Sequence, residues 1–162
     1  MQTTPFFETE RCVIRAFAQE DIVPFMAYRN DAHWMRFQGF KGLTQAAYEA
    51  ALLPAPDVQA GMQLAIVRKA DDCLLGDLYV KAQGDGYAIG YTLHPRHTGH
   101  GYAREAVTGL VGWLRARGAG AVFASVMPGN EASLALLKAL AFQPEGTDAE
   151  GDLCFCLRGH TT

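Results

Sequence analysis

A chain of 162 residues, 49% of them hydrophobic, can bury one sizeable core but leaves no room for a separate regulatory domain, so one domain spanning residues 1–162 is expected. The net charge of -3, with the basic residues scattered, provides no broad phosphate-neutralising face and argues against nucleic acid as a partner. No apolar run approaches a bilayer span, and Met1 to Phe7 lacks the basic start and apolar middle of a secretory signal, so a cytoplasmic protein with no membrane partner is expected.

In chain order, Arg11 to Phe17 alternates like a half-buried strand, with Cys12, Ile14 and Ala16 on one face and Val13, Arg15 and Phe17 on the other. Glu20 and Asp21 then suit the positive end of a helix dipole, Pro24 fits a first turn, and Phe25, Met26 and Tyr28 give the helix apolar surface. Asn30 to Gly42 reads as a loop, followed by a short helix over Gln45 to Leu53 that Pro54 and Pro56 end. Within the loop, Trp34, Phe37 and Phe40 carry two readings, the lining of an acceptor pocket or a satellite core. Met62 to Lys69 and Leu74 to Ala82 are strands joined at Asp71 and Asp72, and Gly86 to Leu93 follows the turn Gly84-Asp85-Gly86, which predicts three successive antiparallel strands.

After residue 101 the period changes. Ala103, Val107, Leu110, Val111 and Leu114 recur at helical spacing, and Arg115, Arg117 and Gly118 close a long amphipathic helix. A strand at Ala121 to Met127, a helix within Asn130 to Phe142 and a last strand at Leu153 to Gly159, preceded by a turn around Gly146 to Asp152, complete the chain. The result is an α/β fold of the α+β kind, a mixed, mostly antiparallel sheet of about six to seven strands with helices on both faces. Cys12 and Cys73 stand alone, and Cys154 and Cys156 share one face of a strand, so free thiols rather than disulfides are expected.

The segment RHTGHGYARE, Arg96 to Glu105, sits where a strand gives way to a helix. Gly99 and Gly101 allow close approach to backbone N–H groups at the positive end of a helix dipole, and Arg96 adds a fixed cation. Such a turn suits a pyrophosphate, although a tight turn without a ligand fits the same residues. It is not a P-loop, which needs a Lys-Ser/Thr pair, nor a dinucleotide fingerprint. His94, His97 and His100 recur every three residues, a spacing open to zinc or nickel. Pro95 breaks any helix that would converge the rings and no carboxylate or cysteine lies beside them, so no metal is expected and the imidazoles face solvent or a phosphate.

These residues carry a resemblance. IGYTLHPRHTGHGYAREAVTGLVGWL followed by NEASLALLKALAF is similar to the acetyl-CoA-binding core of the GNAT superfamily of N-acetyltransferases. Arg96, Gly99 and Gly101 match its pyrophosphate motif, Asn130 with Ser133 matches its Asn-x-x-Ser, and ETERCVIRAFAQED resembles its opening strand and helix. The likeness runs from Glu8 to Leu157, is strongest over 86–142, and within the superfamily lies nearest the ribosomal-protein N-terminal (Rim-type) branch.

The resemblance implies a sheet splayed open into a cofactor cleft. It implies acetyl-CoA as cosubstrate, without a metal, and an amine acceptor, either a protein or peptide N-terminus or a small molecule. It implies that the backbone of Tyr91, Thr92 and Leu93 pairs with the pantetheine arm, the Leu93 N–H polarising the acetyl carbonyl. The amides of His97, Thr98, Gly99, His100, Gly101, Tyr102 and Ala103 would hold the pyrophosphate beside Arg96, Asn130 would touch the pantetheine, and Ser133 would be the acid for the departing thiolate. The amine would attack the thioester directly. Ala88 replaces a frequent glutamate, which leaves the base unassigned, and Asp77 and Asp85, the nearest acids, are expected to be solvated. Leu137 replaces a frequent tyrosine and Ala141 a frequent glycine. A non-catalytic acyl-CoA-binding module is the alternative, and a monomer or homodimer is expected.

Overall fold

The computed structural model describes residues 4–158, so residues 1–3 and 159–162, including the expected strand end at Gly159, lie outside the described residues. In chain order the elements are β1 (Phe7–Glu8), β2 (Cys12–Arg15), α1 (Ile22–Arg29), α2 (Gln45–Leu52), β3 (Met62–Arg68), β4 (Leu74–Gln83), β5 (Gly86–Leu93), α3 (Tyr102–Ala116), β6 (Ala121–Val126), α4 (Glu131–Ala139), β7 (Gln143–Thr147) and β8 (Leu153–Arg158). The strands form one 8-stranded sheet in the order β1-β2-β3-β4-β5-β6-β8-β7, antiparallel throughout except between β5 and β6. The strand beyond the expected range is β1, two residues long and too short to carry an alternation. At the opposite edge, β7 reads QPEGT, a poor strand sequence, and lies where proline is tolerated, with its register shifted between Pro144 and Gly146.

The period-2 pattern of the strands splits the side chains into two cores. Ile14, Leu64, Ile66, Leu78, Val80 and Ile89 face α3 and α4, where Ala106, Leu110, Leu114 and Leu137 are buried at helical spacing. Each fully buried leucine there contributes about 2 kcal/mol of transfer free energy. On the other face, Phe17, Phe25, Tyr28, Tyr48 and Leu52 pack over Ala65, Val67 and Leu74. That second layer, built from α1 and α2, covers the β2 to β4 half of the sheet. The face beyond it borders a cleft lined by Ala88, Gly90, Phe123 and Ser125.

The feature that positions the site is the joint between β5 and β6. They pair only through Tyr87, Ala88 and Ile89 with Val122, Phe123 and Ala124, and then diverge. Beyond Ile89, β5 continues for four more residues along β4 alone, Gly90 opposite Tyr79 through Leu93 opposite Gly76.

Candidate functional site

Two cavities meet along the free part of β5, one of about 1020 Å³ and one of about 610 Å³, both large enough for a small-molecule ligand. Gln38, Tyr91 and Thr92 line both and form the seam between them.

The smaller cavity lies over the gap between β5 and α4. The His94 N–H donates to the Leu75 carbonyl at 2.8 Å, next to the pair Gly76 and Leu93. An antiparallel ladder alternates, so the amides of Tyr91 and Leu93 turn away from β4, towards the side that β6 has left. The Leu93 carbonyl accepts from Trp34 Nε1 at 2.9 Å, which fastens the Asn30 to Gly42 loop to the end of β5.

The turn after β5 follows from its residues. His94 Nδ1 accepts from the Arg96 N–H at 3.0 Å, and Thr98 Oγ1 donates to the Pro95 carbonyl at 2.9 Å. Gly99 and Gly101 have φ of 80° and 81°, the left-handed region that penalises a side chain, and Gly101 is the N-cap of α3. A Cβ on Gly99 would meet nothing within 4 Å and one on Gly101 only Arg11 Nη2 at 3.5 Å, so the turn is open above. The first turn of α3 carries an acid, Glu105, but the charge is engaged: Thr9 Oγ1 donates to it at 2.5 Å, and the Arg11 N–H and Nε donate at 2.8 and 2.7 Å. Although burial opposes it, these donors hold the Glu105 carboxyl below the usual carboxylate range. Tyr102 is fixed beneath by the guanidinium of Arg11, 4.2 Å from its ring centroid.

Of the residues expected around a cofactor, Tyr91, Thr92, Leu93, Thr98, Gly99, Gly101, Tyr102, Ala103, Asn130 and Ser133 all line the smaller cavity, whereas Arg96, His97 and His100 lie outside its lining. The histidines differ from the expectation. His97 turns inward, Nε2 3.6 Å from Cys73 Sγ, and the His94 ring packs 5.8 Å from that of Tyr28, while His100 is exposed. Burial, then neighbouring charge, pushes the pKa of His94 and His97 down. Among the described residues no three His, Cys, Asp or Glu side chains are grouped to hold a metal ion. All four cysteines are free thiols, Cys12 and Cys156 buried and Cys73 and Cys154 half-buried.

At the start of α4, Asn130 Oδ1 accepts from the Ser133 N–H at 3.3 Å, so Asn130 is the cap and Ser133 the capped residue. The Ser133 Oγ lies 2.6 Å from the Tyr91 hydroxyl. Sequence reasoning used only the backbone of Tyr91. Its alternation with Ile89 and Leu93 was the available signal, since it puts the phenol on the face that α4 covers. Burial, outweighing the Ser133 hydrogen bond, pushes the Tyr91 phenol up to about 12.

The larger cavity lies on the other face. Ala88 is part of its floor, while Glu145 and Asp148, both exposed, stand on its outer wall. Its inner wall corrects the expectation for Asp77, which is 1% exposed rather than solvated. Asp77 lies in the row Ala65, Asp77, Thr92, beneath α1. Arg29 Nη2 donates to Asp77 Oδ1 at 2.6 Å and to Thr92 Oγ1 at 3.3 Å, the Tyr28 hydroxyl donates to Asp77 Oδ2, and Arg29 Nη1 donates to the Gly39 carbonyl at 2.9 Å. Sequence reasoning missed this network. Asp85 is exposed, paired with Arg158 at 3.2 Å.

The loop aromatics divide between packing and cavity walls. Trp34 and Phe40 pack on the second core, Phe40 lines the larger cavity, and Trp34 and Phe37 line the smaller one.

Comparison with known proteins bears on this geometry. The model of the acetyltransferase (GNAT) domain matches residues 11–143. A Bacillus subtilis (strain 168) protein described as an uncharacterized N-acetyltransferase, YoaA, is 25% identical over 150 residues, covering 88% of this chain and 85% of its own. Among solved structures, ribosomal-protein-S5-alanine acetyltransferase from Vibrio fischeri superposes with a TM-score of 0.77 at 22% identity, covering 94% of this chain and 95% of that one. Mycobacterium smegmatis RimJ in complex with CoA-disulfide superposes with a TM-score of 0.74 at 18% identity, covering 97% and 87%.

Proposed function

The chain belongs to the GNAT acetyltransferase family, and on that premise we propose that it is an N-acetyltransferase carrying the acetyl group of acetyl-CoA to a primary amine, a peptide or protein N-terminus first and a small-molecule amine second. The observation that carries this reading is the free edge of β5, whose amides at Tyr91 and Leu93 face a gap that ends at the open glycine turn. An extended amide-bearing arm pairs with such an edge as an added strand, and a pyrophosphate suits the N–H groups of residues 97–103 at the start of α3. The fit to acetyl-CoA is therefore good along the whole smaller cavity.

Each group then has a task. The Leu93 N–H donates to the carbonyl oxygen as charge builds on it. Ser133 donates to the departing sulfur, and Asn130 orders the first turn of α4 around it. The acceptor enters from the larger cavity and meets the thioester at the seam of Gln38, Tyr91 and Thr92. Attack is direct: Cys154 is the thiol in the larger cavity, and burial, then Asp148, Asp152 and Glu145, raise its pKa, so it stays protonated and a poor nucleophile. With Ala88 in the floor and Asp77 bound to Arg29, no side chain is assigned as base and the amine arrives neutral from solvent.

The acidic outer wall of Glu145 and Asp148 favours an acceptor that carries positive charge away from the reacting amine, and the name of the Vibrio fischeri neighbour, a ribosomal-protein-S5-alanine acetyltransferase, supports a protein acceptor. The test is thiol release from acetyl-CoA across peptides with free N-termini, the same peptides with blocked N-termini, and small amines. Fastest release with free N-termini is expected. Release with small amines alone would move the acceptor to the second class, and binding without release to any of them would leave an acyl-CoA-binding module.

A further inference from the structure

We propose that Tyr91 is a positioning residue for acetyl transfer, its phenol holding the Ser133 hydroxyl so that the remaining hydroxyl proton of the pair is aimed at the sulfur of the thioester. This rests on reading the smaller cavity as the acetyl-CoA site.

Tyr91 is on β5 and Ser133 on α4, the two walls of the gap, and their hydroxyl oxygens are 2.6 Å apart. Two hydroxyls carry two protons, and one bond between them uses one. If Ser133 were the donor, the Tyr91 proton would be directed at the Ser133 carbonyl at 3.4 Å, the outer limit of a hydrogen bond. If Tyr91 is the donor, its proton is used at 2.6 Å and the Ser133 proton is free for the cavity that Ser133 lines. The second arrangement spends the phenol proton on the shorter bond and leaves the Ser133 proton for the cavity. Leu137, one turn further along the same face of α4, is fully buried and brings no hydroxyl.

The phenol, pushed up to about 12 by burial, keeps its proton across the working range and is not itself the proton source. In the step it assists, the amine nitrogen bonds to the acetyl carbon, the carbon–sulfur bond breaks, and its electron pair leaves on sulfur, stabilised by the Ser133 O–H. The amine proton goes to solvent and solvent returns one to the thiolate.

The test needs no acceptor. Calorimetry compares CoA with desulfo-CoA, which lacks the sulfur, on the wild-type protein, Tyr91→Phe and Ser133→Ala. In the wild type, CoA binds more tightly than desulfo-CoA, and the advantage grows as pH rises towards the pKa of the CoA thiol, because a hydroxyl donor stabilises a thiolate more than a thiol. Tyr91→Phe and Ser133→Ala each reduce that advantage by about tenfold or more and leave desulfo-CoA affinity unchanged. The double variant loses no more than either single one. An intact CoA advantage in Tyr91→Phe, or losses that multiply in the double variant, would overturn the proposal. A phenol that is only structural would lower the thermal midpoint and the affinity for both ligands together. Should Tyr91→Phe not fold, Ser133→Ala decides alone, since an unchanged CoA advantage there removes the donor that Tyr91 is said to aim. A wild-type protein that binds neither ligand would refute the acetyl-CoA reading itself, and this inference with it.

Discussion

Arg29 and Asp77 form an ion pair at 2.6 Å, with the residues only 4% and 1% exposed. Taking both charges out of water costs several kcal/mol each, by about as much as their attraction returns, so such a pair is a weak stabiliser. Its partners explain its presence better: Gly39 and Phe40 of the loop, Thr92 of β5 and Tyr28 of α1 all meet at these two side chains, at the wall shared with the seam. The pair fixes where the loop crosses the cleft. Replacing both residues by apolar ones of similar length, Arg29→Met with Asp77→Leu, should therefore leave the thermal midpoint unchanged or higher and lower acetyl transfer at least about tenfold. Asp77→Ala alone strands the Arg29 charge and should cost about 3–5 kcal/mol in denaturant unfolding. Unchanged transfer in the folded double variant would reduce the pair to packing. The burial of Asp77 was not legible in the sequence because its partner is 48 positions away on a helix. The glycine turn was legible, since Gly99 and Gly101 lie two apart where strand gives way to helix, and so was the cap of α4, since Asn130 and Ser133 lie three apart.

At the scale of elements, α4 ends under strain. Ala141 sits just past its C-cap with φ of 67°, its N–H bonded to the Lys138 carbonyl and that of Phe142 to the Leu137 carbonyl at 3.0 Å. This left-handed position is one that glycine occupies without penalty, while alanine pays about 1–2 kcal/mol, partly offset by the greater freedom of glycine in the unfolded chain. Ala141→Gly should raise stability by about 0.5–1 kcal/mol in urea unfolding, and a loss of stability would show that the alanine methyl is needed for packing. The helices with strong periodicity, α3 above all, and the meander β3 to β5 were legible because their apolar residues repeat at one period. The strands β1 and β7 were not, the first because two residues hold no pattern and the second because Pro144 and Gly146 hide an edge strand whose pairing comes from β8.

For the whole molecule, function follows from where the sheet stops pairing. Between β4 and β5 the ladder is continuous from Gly86 to Leu93, whereas β6 leaves after Ile89, so one strand serves as sheet on one side and as a free recognition edge on the other. The α1–α2 layer stops short of that edge and leaves the larger cavity open on the second face, while α3 presents its N-terminus at the far end of the gap. This divergence was legible only through the family resemblance, because no local pattern marks the residue at which two strands part. The larger cavity remained hidden for a related reason: its walls include residues of α1, the loop, β5 and β7, far apart in the chain.

Calorimetric titration of acetyl-CoA into the wild-type protein and into Gly101→Val tests the central claim most directly, with circular dichroism to establish that the variant is folded. Gly101 is open above, so a valine there brings a branched side chain to the place where the pyrophosphate meets the turn and strains the backbone by about 1–2 kcal/mol, less than a typical domain's stability. Binding in the wild type and an affinity at least about tenfold weaker in the folded variant is the result predicted. Equal affinity in a folded Gly101→Val protein, or no heat of binding in the wild type, would contradict it.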